Sequence, residues 1–111
     1  MSYYKLNIVD VQGNRIFLTN DCWDNHIVVR HPIMIHFLKD VKETIKNPDC
    51  IYRSKSDYLT CLYYRLSNTK FGRVYILVVI DTKIKKKVGY VKTALLVDKL
   101  KGGELIWRKK S

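Results

Sequence analysis

The chain has 111 residues, 47% of them hydrophobic and 12% aromatic, which is the size and composition of one folded domain with a real core and excludes a disordered segment. Its 21 Lys and Arg against 10 Asp and Glu leave a net charge of +11, a field that attracts polyanions, nucleic acid ahead of an anionic membrane surface or an acidic protein. Cys22, Cys50 and Cys61 cannot all pair within the chain and lack the CxxC or Cys/His spacing of a zinc site, so a reducing cytoplasm is the expected setting.

The first segment, YYKLNIVDVQGNRIFLT, carries two β-prone runs around Gln12-Gly13-Asn14, which predicts strands near 3–9 and 15–19 joined by a hairpin turn. Asn20 and Asp21 are suitable N-caps, and Trp23, Ile27 and Arg30 follow at helical spacing, so a short helix is expected over about 22–30, ended by Pro32. Met34, Leu38, Val41 and Ile45 then form one apolar stripe and predict a second helix over about 33–46. Asn47-Pro48-Asp49 stops it, because the residue before a proline is pushed out of the α region.

The remainder reads as strands: 51–53, YLTCLYYRL at 58–66, VYILVVI at 74–80 and VGYVKTALLV at 88–97, with polar, basic turns SNTKFG and DTKIKKK between them. VYILVVI does not alternate and is rich in β-branched residues, as a central strand covered on both faces would be. It is also the longest apolar run, and its seven residues fall short of the roughly 20 that a membrane span needs. The start, Met1-Ser2-Tyr3-Tyr4-Lys5, lacks an apolar signal core, so neither export by a cleaved signal nor membrane association is expected. Gly102-Gly103 reads as a turn and the tail RKKS as loose. The expected fold is therefore α+β over residues 1–111: an N-terminal β-hairpin, then two helices packed on one face of an antiparallel sheet of about four strands.

Two of the three histidines fall in DNHIVVRHP at 24–32. On a helix, His26 and Arg30 stand four residues apart on one face, a poor pairing for stability when the imidazole is protonated but a sensible one for gripping a phosphate. The structural alternative packs His26 under the sheet and uses His31 to cap the second helix. His36, in the middle of that helix, reads as partly buried and structural. The acids show no metal-ligand spacing, and no GxSxG, Walker loop or paired Cys-His signature is present, so no cofactor is expected.

W-x-x-H-I-x-x-R-H-P at 23–32, I-K-N-P-D at 45–49, L-Y-Y-R at 62–65, LVVI at 77–80 and V-K-T-A at 91–94 together resemble the phage-associated members of the barnase, EndoU, colicin and RelE-like nuclease superfamily. In that family, amino-terminal helices join a four-stranded antiparallel sheet. The likeness spans about residues 19–107, leaving 1–18 as an added hairpin. The family commonly continues HP with an acid, where this chain has Ile33.

The resemblance implies a metal-independent ribonuclease, or a toxin of that type held in check by an acidic antitoxin or immunity protein. In such chemistry a base takes the 2′-OH proton, cations offset the charge on the phosphorane, and an acid protonates the leaving 5′-oxygen. His26 becomes the candidate acid or base, with His31 beside it, and Arg30 the charge clamp. Tyr64 and Thr93 would hydrogen-bond the phosphate or orient a base. Thr93 lies between Val91 and Leu95 and so should interrupt an apolar row on one strand face. Arg65 alternates with Tyr64 onto the other sheet face and is set aside. Lys70, Arg73, Lys83, Lys85, Lys86, Lys87 and Lys92 are the expected RNA-docking cations. A non-catalytic nucleic-acid-binding module needs only exposed basic and aromatic residues. A structural protein whose charge serves solubility needs neither those nor a cleft.

Overall fold

The computed structural model describes residues 3–70 and 72–110. Apolar and polar residues alternate in the first two segments, which form β1 (Tyr4–Val9) and β2 (Arg15–Thr19), an antiparallel hairpin. Asp10 builds the turn between them: its Oδ1 accepts the Gln12 and Asn14 backbone N–H groups at 2.9 and 2.8 Å, and Gly13 supplies a φ of +86°. The Tyr63 hydroxyl donates to the other oxygen of this buried carboxylate, which ties the turn to the centre of the molecule.

Residues 20–30, here α1, are helical throughout, and Thr19 rather than Asn20 or Asp21 caps them, its Oγ1 accepting from the Cys22 N–H at 3.0 Å. The helix is not uniform. Asn20–Cys22 and Val28–Arg30 are α turns, but Trp23–Ile27 is a π turn, in which the Val28 N–H reaches back to the Trp23 carbonyl. Trp23 and Ile27 are buried by it. Past the π turn the winding is α again, the His31 N–H bonding the Ile27 carbonyl four residues back at 2.8 Å, so Arg30 keeps its four-residue spacing from His26.

The predicted second helix is divided. Pro32–His36 is a 3-10 turn, closed by the Met34 N–H on the His31 carbonyl and the Phe37 N–H on the Met34 carbonyl, and α2 (Leu38–Lys46) begins only after Phe37 leaves helical geometry. The stripe is nonetheless the buried face: Met34, Val41 and Ile45 are fully buried, so core packing is met by the tighter winding at the proline corner. His36, expected to be partly buried, ends the 3-10 turn exposed to solvent, and the His31 side chain makes no cap.

After Pro48 come β3 (Cys50–Arg53), β4 (Thr60–Thr69), β5 (Gly72–Lys83), β6 (Val88–Val97) and β7 (Glu104–Arg108). The short links make β3 to β6 an antiparallel meander, but the sheet has seven strands in the order β1-β2-β6-β5-β4-β3-β7, not about four. It is mixed rather than antiparallel, because Arg15–Phe17 run parallel to Val88–Tyr90. VYILVVI lies in β5, the fourth strand of seven, with Ile76, Val78 and Ile80 buried against the helices and Tyr75, Leu77 and Val79 on the other face. The expected turn at 67–72 is tighter than SNTKFG suggests, since pairing continues to Thr69 opposite Gly72; Phe71 is outside the described residues.

The seventh strand sets a topological demand. β6 and β7 lie on opposite sides of β5, β4 and β3, so residues 98–103 must cross the helix-free face. Tyr64 anchors that crossing, its hydroxyl donating to the Lys101 carbonyl and accepting the Lys101 N–H at 3.2 Å. Gly102 passes against the Tyr52 ring and Gly103 against the Arg53 carbonyl, where a Cβ would not fit. The Lys109 N–H then bonds the Asp49 carbonyl at 2.9 Å, so RKKS is held as far as this residue; Ser111 is outside the described residues.

Candidate active site

Pairing between β2 and β6 stops at Tyr90, which leaves the outer edge of β6 beyond it available to α1. Cys22 Sγ lies 3.3 and 3.5 Å from the Val91 and Lys92 carbonyls and donates to them, fastening the helix there. At the same place β6 carries a bulge: Val79 faces Thr93 across the sheet while the next residue, Ile80, faces Val91. Val91 and Thr93 therefore point to opposite faces, contrary to the single row read from the sequence. Val91 enters the core, and Thr93 turns to the helix-free face.

The π turn and the bulge converge on a shallow depression of about 610 Å³, lined by Asp21, Cys22, His26, Val79, Lys92 and Thr93. His26 is half-buried, and Thr93 Oγ1 is buried without a hydrogen-bond partner among the described residues. An unpaired buried hydroxyl costs about 1–3 kcal/mol. Lys92 Nζ stands 3.6 Å from Asp81 Oδ1 with its side chain half-exposed, so it is held without being withdrawn from solvent. The Cys22 thiol is pushed above its ordinary pKa, by burial first and by the Asp21 charge second, and stays protonated at neutral pH, which makes it a poor nucleophile.

Of the five predicted catalytic residues, the fold brings His26 and Thr93 together and leaves the others apart. Arg30 is exposed at the end of α1, outside the lining of the depression. His31 is half-buried at the proline corner, its backbone N–H on the Ile27 carbonyl at 2.8 Å. Tyr64 is fully buried under the crossing segment, and Arg65, opposite Ile76, lies on the helix-bearing face.

The predicted docking cations divide among three places. Lys70 and Arg73 sit at one end of the β4–β5 hairpin, and Lys83, Lys85, Lys86 and Lys87 sit at the far end of β5, about 35 Å away by strand rise. Only Lys92 belongs to the depression. Beside it on the helix-free face is an aromatic row that sequence reasoning missed: Tyr4, Phe17 and Tyr90, with ring centroids 4.7 and 5.4 Å apart in succession. Tyr90 is 43% exposed. The parallel pairing of β2 with β6 creates this row, and no local pattern announces that pairing.

No protein-family model, curated protein or solved structure matches this chain. Among the described residues no three His, Cys, Asp or Glu side chains gather as a metal-ligand set, and no helix is long and apolar enough to cross a membrane.

Proposed function

We propose that this protein binds RNA and cleaves it without a metal ion at the depression formed by His26, Lys92 and Thr93. The observation that carries this reading is the meeting of a titratable imidazole from α1 with an ammonium and an unpartnered hydroxyl from the bulge of β6. His26 accepts the 2′-OH proton as the 2′-oxygen attacks phosphorus. Thr93 donates to a non-bridging oxygen. The Lys92 ammonium offsets the charge on the phosphorane and gives a proton to the 5′-oxygen as the P–O5′ bond breaks, leaving a 2′,3′-cyclic phosphate and a 5′-hydroxyl. Tyr90 and Phe17 offer unstacked bases a platform on the same face, and Arg30 reaches a neighbouring phosphate.

This keeps the ribonuclease chemistry that the resemblance implies, with Tyr64 replaced by Lys92, and an acidic antitoxin would be drawn by the surplus of Lys and Arg. Purified protein incubated in EDTA with structured and unstructured RNA should yield fragments ending in 2′,3′-cyclic phosphate. A second reading, an RNA-binding module without cleavage, is favoured by one observation: six of the seven predicted docking cations lie at the two ends of β5, outside the lining of the His26 depression. Tight binding with the RNA left intact would select it.

A further inference from the structure

The far end of β5 holds a second site, which shares no residue with the His26 depression. A pocket of about 420 Å³ opens where the β1–β2 turn meets the β5–β6 turn, and Arg53, Lys83 and Lys87 line it together with Gln12, Asn14 and Tyr63. Arg53 Nε is buried there without a hydrogen-bond partner among the described residues. Its Nη1 pairs loosely, at 3.6 Å, with a Glu104 side chain that is 69% exposed, so solvent screens most of that attraction. Asp10, the acid behind this wall, has its oxygens taken up by Gln12, Asn14 and Tyr63.

An apolar hollow of about 510 Å³ adjoins the pocket, and Thr82 and Lys83 belong to both. Its walls are Tyr58 and Leu59, 65% and 43% exposed, rimmed by Lys85 and Lys86. The Arg53 guanidinium sits 4.4 Å over the Tyr58 ring, which holds the cation at the boundary between the two spaces.

We propose that this end of the molecule binds a nucleoside 5′-monophosphate unit, its phosphate between Arg53, Lys83 and Lys87 and its base against Tyr58 and Leu59. A terminal phosphate carries nearly two charges and three free oxygens, which suits a cluster of one guanidinium and two ammonium groups better than the single charge of an internal diester does. The aromatic hollow beside it gives the base a surface to stack on. The unit can be a free nucleotide or the 5′ end of a strand.

Calorimetric titration of the whole protein with 5′-AMP, adenosine and inorganic phosphate tests this. 5′-AMP should bind at least about 10-fold tighter than either fragment. Lys83→Gln and Lys87→Asn should each weaken it several-fold; both are exposed, and Asn tolerates the left-handed φ of +53° at position 87, so neither variant threatens the fold. His26→Ala should leave 5′-AMP binding unchanged, which separates this site from the cleavage reading. Short oligodeoxyadenylates, which lack a 2′-OH, distinguish the sources: a gain from 5′-phosphorylation assigns the site to strand ends, and no gain alongside 5′-AMP binding assigns it to free nucleotide. Affinity for 5′-AMP no better than for adenosine or phosphate, or unchanged in both lysine variants, overturns the proposal.

Discussion

At the scale of single residues, hydroxyls with and without partners make opposite forecasts. Thr93 Oγ1 is buried and unpartnered, so Thr93→Val should leave thermal stability unchanged or raise it by about 1 kcal/mol while lowering cleavage about 10-fold, read from a melting curve and a single-turnover assay on one preparation. Tyr64 is the reverse case. Its hydroxyl holds both polar groups of Lys101, so Tyr64→Phe should cost about 1 kcal/mol of stability and leave cleavage unaffected. The Cys22 thiol couples stability to pH. Its folded pKa lies above the ordinary thiol value, so its contribution to stability is complete below the unfolded pKa and is lost as pH rises through the folded one. Alkylation of Cys22 in the native protein at neutral pH should be correspondingly slower than that of a free thiol, and Cys22→Ala should retain cleavage.

At the scale of elements, the crossing from β6 to β7 is the most exacting feature. Gly103→Ala would put a Cβ onto the Arg53 carbonyl, and backbone cannot yield as a side chain tip can, so a loss of about 2 kcal/mol or more is expected, with β7 amides losing protection from hydrogen exchange first. The strands that alternate or run apolar, β1, β2, β4, β5 and β6, were legible in the sequence, as was the buried stripe of Met34, Val41 and Ile45. β7 was not. ELIWR is five residues behind two glycines, and it becomes a strand because the edge of β3 is there to receive it. The π turn in α1 and the bulge at Lys92 were equally hidden, since each is one residue of slippage imposed by packing on a sequence with ordinary periodicity. The bulge decides the candidate site: it turns Thr93 to the helix-free face, where Thr93 lines one depression with His26, while Arg30, exposed at the end of α1, is not part of that lining.

At the scale of the whole molecule, the charge of +11 would make the proposed RNA affinity an ionic matter. If the single strand meets about five phosphates, affinity should fall roughly 100-fold between about 50 and 200 mM salt, and a flat dependence would turn the account away from nucleic acid. Because Lys70 and Arg73 lie at the opposite end of β5 from Lys83–Lys87, neutralising either group should reduce the salt slope only in part. The proposed cleavage, in contrast, would depend on one place. The most direct measurement compares wild type and His26→Ala in EDTA for cleavage rate, RNA affinity and melting temperature on the same samples. The account predicts a rate lower by about 100-fold or more with affinity and melting temperature nearly unchanged, since His26 is half-buried and its chemistry is proton transfer. Full cleavage by His26→Ala with a lowered melting temperature would contradict it and make His26 a packing residue.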